Sequence, residues 1–190
     1  MLVTDRHQCR GDLVQAVAAA VKGGVHAVQL REKDLSASEL IALGRSLKAA
    51  ITGRALLLVN GDPDLARAIG ADGVHFPENS PVSMRVDTLA GRSVHSVESA
   101  LAAEAEGAGY VIYGNVYETS SHPGAPAAGL KRLSEVTAAV TVPVLAIGGV
   151  TAVRVPDVMV AGAAGVAVIS AILASPDPGA AASELRAALQ

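Results

Sequence analysis

Short, continuous aliphatic runs alternate along this chain with stretches in which apolar residues recur at helical spacing. The clearest instance is residues 141–172, TVPVLAIGGVTAVRVPDVMVAGAAGVAVISAI, which hold two copies of one plan. Each copy has an aliphatic run (142–147, then 165–169), a turn of small residues and the start of a helix. Runs apolar on both faces predict parallel strands covered by helices, in a barrel or a doubly wound sheet.

The same alternation runs from the N-terminus. Residues 2–4 predict a first strand, and 11–21 a helix with Leu13, Val14, Val17 and Val21 on one side, ended by Gly23-Gly24. A second strand over 25–30 delivers Gln29, Arg31, Glu32 and Lys33 at or beyond its C-terminal end. Ser36 and Glu39 form a capping box that opens a helix to about residue 50. A third strand over 55–59 ends in Asn60, Asp62 caps a short helix stopping near Gly70, and 73–75 is a fourth strand. Strand five covers 92–94, Ser96 caps a helix up to Gly107, and strand six covers 110–113. Residues 114–129 are the longest irregular segment, and long loops inside compact domains usually carry function. A helix from about Leu130 leads to strands seven and eight, and 179–189 is a last amphipathic helix. Eight β/α units predict an α/β fold, a closed (β/α)8 TIM barrel spanning 1–190 as a single domain.

Composition narrows the partners. With 51% hydrophobic residues but only 2% aromatic and no Trp, the core must be built from Ala, Val, Leu and Ile. A net charge of −3, no Lys/Arg stripe and few rings for stacking exclude nucleic acid as a partner. No run approaches the roughly 18 apolar residues of a membrane span, and MLVTDRHQ lacks the positive start of a signal peptide. A cytoplasmic protein with no membrane partner is expected. Cys9 stands alone, without a disulfide framework or a nucleophile motif around it. Barrels with aliphatic outer helices often associate, so a homo-oligomer is compatible with the chain.

In a (β/α)8 barrel the C-terminal strand ends face one pocket, and the groups collected there are rich in cations, amides and hydroxyls and poor in carboxylates. Gly148-Gly149 and the helix opened by Ser170 predict an anion site, for phosphate, at the last two strands. The glycines also fit a simpler role in packing helix on sheet. His75 and His95 each follow a valine inside a strand and read as hydrogen-bonded barrel histidines. His122, in the Ser-Ser-His-Pro-Gly loop, is the most exposed candidate for proton transfer. No carboxylate pair has the spacing of a metal site.

Seven ordered segments resemble the thiamine phosphate synthase/TenI family: Val28-Gln-Leu-Arg-Glu-Lys33, Leu58-Val-Asn60, Ala71-Asp-Gly-Val-His75, Gly91-Arg-Ser-Val-His95, Gly114-Asn-Val-Tyr-Glu-Thr119, Ala146-Ile-Gly-Gly149 and Gly165-Val-Ala-Val-Ile-Ser170. The resemblance implies a (β/α)8 barrel and a small phosphorylated thiazole as ligand. It implies Gln29, Arg31, Lys33, Asn60, Ser93 and Thr119 around the substrate, and Gly148, Gly149, Ile169 and Ser170 around its phosphate. The family's synthase branch joins a pyrimidine diphosphate to a thiazole phosphate using Mg²⁺. Its TenI-like branch includes a thiazole tautomerase, which shifts a proton to aromatise a thiazole carboxylate phosphate without metal.

Synthases carry Asn-Asp where this chain has Asn60-Gly61, and Gln-Glu-Asp where it has Glu78-Asn79-Ser80. Gly61 and Ser80 cannot hold Mg²⁺ against a diphosphate, since a hard cation needs carboxylate or phosphate oxygen. The synthase Pro-Thr-x-Thr-Lys loop is replaced by Glu118-Thr-Ser-Ser-His-Pro-Gly124. These departures place the chain on the tautomerase branch, an isomerase with no cofactor, and Mg²⁺ enters only under the synthase alternative. The tautomerase's catalytic histidine, however, is replaced by Asn115, which can orient a substrate or bond an enolate-like oxygen but cannot shuttle a proton near neutral pH. Asn115 and His122 are therefore the catalytic candidates, with His122 taking over the proton. A silent, regulatory binder of thiazole phosphate is the remaining alternative.

Overall fold

The structure, a computed structural model, describes residues 1–80, 87–119 and 126–190. Strands and helices alternate from one end to the other, with eight parallel strands ordered as in the sequence, and the fold class is the (β/α)8 barrel expected from the pattern. Residues 1–75 with 169–188 form one compact unit, and residues 76–168 form a second.

In the first unit the strands are β1 (Leu2–Val3), β2 (Ala27–Leu30), β3 (Leu56–Asn60) and β4 (Gly73–Phe76). They pair in parallel with Val3 opposite Gln29, Gln29 opposite Leu58, and Asn60 opposite His75. The helices are α1 (Leu13–Lys22), α2 (Ala37–Ile51), α3 (Pro63–Ile69), α7 (Ser170–Leu173) and α8 (Pro178–Ala188). Their ends form where short polar side chains can reach first-turn amides. Asp12 accepts from Gln15 N, Asp62 from the Asp64 and Leu65 amides, and Ser36 and Glu39 complete the expected capping box. Gly23 closes α1 because the space of its side chain is taken by the Gly179 carbonyl of α8. Gly44 in mid-α2 likewise yields to Ile69 of α3, whose Cδ1 would lie 2.5 Å from an added Cβ.

The second unit contains β5 (Leu89–Val94), α4 (Val97–Ala105), β6 (Tyr110–Tyr113), α5 (Gly129–Ala139), β7 (Val144–Ile147), α6 (Val155–Val160) and β8 (Gly165–Ala167). Its register places Ser93 opposite Ile112, Tyr113 opposite Ala146, and Ile147 opposite Ala167. β6 is buried along its whole length, as a parallel strand covered on both faces must be. In this unit three strand boundaries differ from the sequence expectation. β5 begins at Leu89 rather than residue 92, and Gly91 lies within it, where a side chain would overlap the Tyr110 ring. β7 begins at Val144, past Pro143, which has no N–H for the ladder, and β8 ends at Ala167 rather than residue 169. Among the described residues no helix is long and apolar enough to cross a membrane.

Candidate active site

Within the first unit, Gln29 is 3% exposed on β2, and its Nε2 donates to Asn60 Oδ1 at 3.0 Å. His75 lies beside Asn60 on β4 at 1% exposure. Burial, and then the charge of Arg31, push the His75 pKa down to about 3, so its ring is neutral. Arg31 is half-buried and anchored through its backbone, whose N–H donates to Thr4 Oγ1 at 2.9 Å. Lys33 is exposed.

The acids interleaved with these cations point elsewhere. Glu32, with a side chain 1% exposed, accepts from Arg6 N at 3.1 Å through both oxygens and from Arg6 Nη1 at 3.2 Å. Asp34 takes Arg6 Nη1 at 2.5 Å, Arg6 Nη2 at 2.7 Å and His7 Nε2 at 3.0 Å, and the Arg6 bonds hold its carboxyl well below the usual range. One arginine, 25 residues before Arg31, thereby engages both neighbouring carboxylates. Among the described residues Arg31 and Lys33 carry no ion pair, which leaves two unpaired positive charges at the end of β2. Asp5, in contrast, is structural, accepting from His7 N at 3.1 Å and Gln8 Nε2 at 2.6 Å. Ile169 is half-buried just ahead of α7, and Ser170 is exposed as the first residue of that four-residue helix.

In the second unit Asn115, Gly148 and Gly149 come together. Residues 115–118, after β6, lie along 147–149, after β7, with Val116 N donating to Ile147 O at 2.9 Å and Tyr117 N to Gly148 O at 3.0 Å. Arg154 closes the same edge: its Nη1 donates to Gly149 O at 2.6 Å and its guanidinium lies 4.5 Å from the Tyr117 ring centroid. Both glycines have positive φ, 96° and 64°. A Cβ on Gly148 would overlap Asn115, and one on Gly149 would meet Glu118 O at 2.5 Å. The glycines are thus demanded by a neighbouring backbone, a reason more specific than helix-on-sheet packing. Among the described residues the amides of Gly149 and Val150 donate to no acceptor, so donors for an anion are present. Ser93 and Thr119 are each engaged in interactions. Among the described residues Asn115 Nδ2 makes only a long bond, 3.4 Å, to Tyr117 O. His122 lies outside the described residues.

His95 departs from the expected barrel histidine. Its side chain is 59% exposed, its Nδ1 lies 2.9 Å from Glu78 Oε2 and its own N–H donates to Glu78 Oε1 at 3.0 Å. Burial works upward on Glu78, but bonds from Ser99 and His95 outweigh it and the carboxyl lies below its ordinary value. Nothing local in the sequence pairs residues 17 apart, and neither this pair nor the Arg154–Tyr117 stack was legible there. Among the described residues no group of three or more His, Cys, Asp or Glu could hold a metal ion.

A family model for thiamine monophosphate synthase matches residues 1–172. Thiamine-phosphate synthase of Roseiflexus castenholzii is 42% identical over 97% of this chain and 85% of its own. Thiamine-phosphate synthase of Methanoculleus marisnigri is 44% identical over 97% of this chain and 92% of its own. Among solved structures, thiamine phosphate pyrophosphorylase from Pyrococcus furiosus superposes with a TM-score of 0.90 at 33% identity, covering 99% of this chain and 93% of that one.

Proposed function

The chain belongs to the thiamine monophosphate synthase family, and on that premise we propose that it is a thiamine-phosphate synthase, joining a pyrimidine diphosphate to a thiazole phosphate. The observation that carries this reading is the run of relatives so named, matched at 42% and 44% identity over 97% of this chain. It reverses the order in which the sequence alone ranks the two branches, since the missing acidic positions there favour the tautomerase. The reaction forms a carbon–nitrogen bond between the two heterocycles and releases diphosphate with the electron pair of the broken carbon–oxygen bond. Arg31 and Lys33 are assigned to the anionic substrate, Gln29, Asn60, Ser93 and Thr119 to its body, and Gly148, Gly149, Ile169 and Ser170 to the thiazole phosphate.

The family resemblance brings Mg²⁺ with it, and the residues present do not fit a carboxylate-held ion. Gly61 and Ser80 stand at the two aspartate positions. The nearby Asp62 is occupied in capping α3, accepting from Asp64 N at 2.8 Å and Leu65 N at 3.0 Å, and Glu78 is occupied by His95. Incubation with both phosphorylated halves, with and without Mg²⁺, is expected to yield the condensed product and pyrophosphate above the protein-free rate; no product at any Mg²⁺ concentration would end this reading.

The missing carboxylates favour a second reading, the metal-independent tautomerase. It needs a proton carrier, a role Asn115 cannot fill and His122 is assigned. In chelator, aromatisation of the thiazole carboxylate phosphate followed by absorbance should be accelerated by the protein and lost in His122→Ala. Unchanged acceleration in that variant would remove the assigned base.

A further inference from the structure

We propose that Arg154 is a positioning residue for the Gly148-Gly149 turn, setting the direction of the amides that face the substrate phosphate; this rests on the assignment of that turn to phosphate. Two consecutive glycines at positive φ have no side chain to restrain them, so the turn must be held by its surroundings. It is held by its carbonyls. Ile147 O and Gly148 O accept from the Val116 and Tyr117 amides, and Gly149 O accepts from Arg154.

Because each peptide is planar and trans, a carbonyl fixed on one side sends the N–H of the next residue to the other. The bond to Gly148 O therefore aims the Gly149 N–H, and the bond to Gly149 O aims the Val150 N–H. Neither of these amides finds an acceptor among the described residues. Tyr117 closes the device, since its backbone holds Gly148 while its ring lies beneath the guanidinium that holds Gly149. Only a flat cation can stack on that ring and donate sideways to a carbonyl at once.

The test measures binding of thiazole phosphate and of the unphosphorylated thiazole alcohol to the full chain by calorimetry. Arg154→Met is expected to weaken the phosphate ester roughly tenfold, the size of one hydrogen bond, and to leave the alcohol unchanged. Arg154→Lys should fall between, because an ammonium can reach the carbonyl but cannot stack flat. Amide hydrogen exchange at Tyr117 should accelerate in Arg154→Met, since its acceptor Gly148 loses a neighbouring restraint. Equal weakening of ester and alcohol, or an unchanged ester affinity, overturns the proposal. A wild-type chain that holds ester and alcohol equally removes the phosphate turn itself, and with it the proposal, a failure seen before any variant is made.

Discussion

At 1% exposure and within reach of the Arg31 charge, His75 is opposed in taking a proton by its depth and by its neighbour. Its folded pKa of about 3 lies below the 6.5 of an unfolded histidine, so on acidification the unfolded chain binds this proton first. The resulting stabilisation is full above 6.5 and is lost as pH falls from there toward 3, at about 1.4 kcal/mol per pH unit at its steepest. His75 ring resonances are expected to stay flat between about pH 8 and about pH 5. His75→Asn should lessen the acid dependence of urea unfolding in the same range. The place of Arg31 and Lys33 just beyond a strand was legible from the aliphatic run before them. That Glu32 belongs to Arg6 was not, since the partner sits 26 residues earlier and only the fold brings it near.

Helix ends were the most legible elements, because a cap and its amide lie within three positions of each other. Ser36→Ala should cost about 1 kcal/mol in denaturant unfolding, with the helix otherwise kept. Strand ends were less legible: strand five, expected over 92–94, begins at Leu89, and Gly91 is an interior strand residue whose missing side chain leaves room for Tyr110. Gly53, just after α2, and Gly149, in the turn after β7, allow the two costs of a side chain to be separated. Gly53 has φ 73° with nothing within 4 Å of its absent Cβ, so Gly53→Ala should show the backbone cost alone, about 1 kcal/mol. Gly149→Ala meets that cost and the Glu118 carbonyl at 2.5 Å, and should lose about 2 kcal/mol more in the same measurement. Equal losses would mean that residues 115–118 yield freely.

Over the whole molecule the fold was written in the repetition of the chain, since eight alternations of aliphatic run and amphipathic stretch leave little choice of class. The reaction was less legible, because it depends on a few side chains at loop positions where this chain departs from the synthase pattern that the resemblance implies. Gly61 and Ser80 concentrate that difference. Gly61 has φ 78°, a conformation that aspartate tolerates better than most residues. Gly61→Asp with Ser80→Asp should therefore fold, and should make condensation of pyrimidine diphosphate with thiazole phosphate rise with Mg²⁺. A rate that stays flat from micromolar to millimolar Mg²⁺ would show that the two positions do not govern metal use in this chain.

The contact between Asn115 and Gly148 also limits how this protein can be rebuilt. The segment after β6 lies where the side chain of residue 148 would be, and its amides hold the carbonyls of the turn after β7. Transplanting a foreign β6 loop to import a new base would carry the wrong counterpart for the turn it rests on. The two loops are one heritable module, and a chimera should succeed only when both come from the same donor.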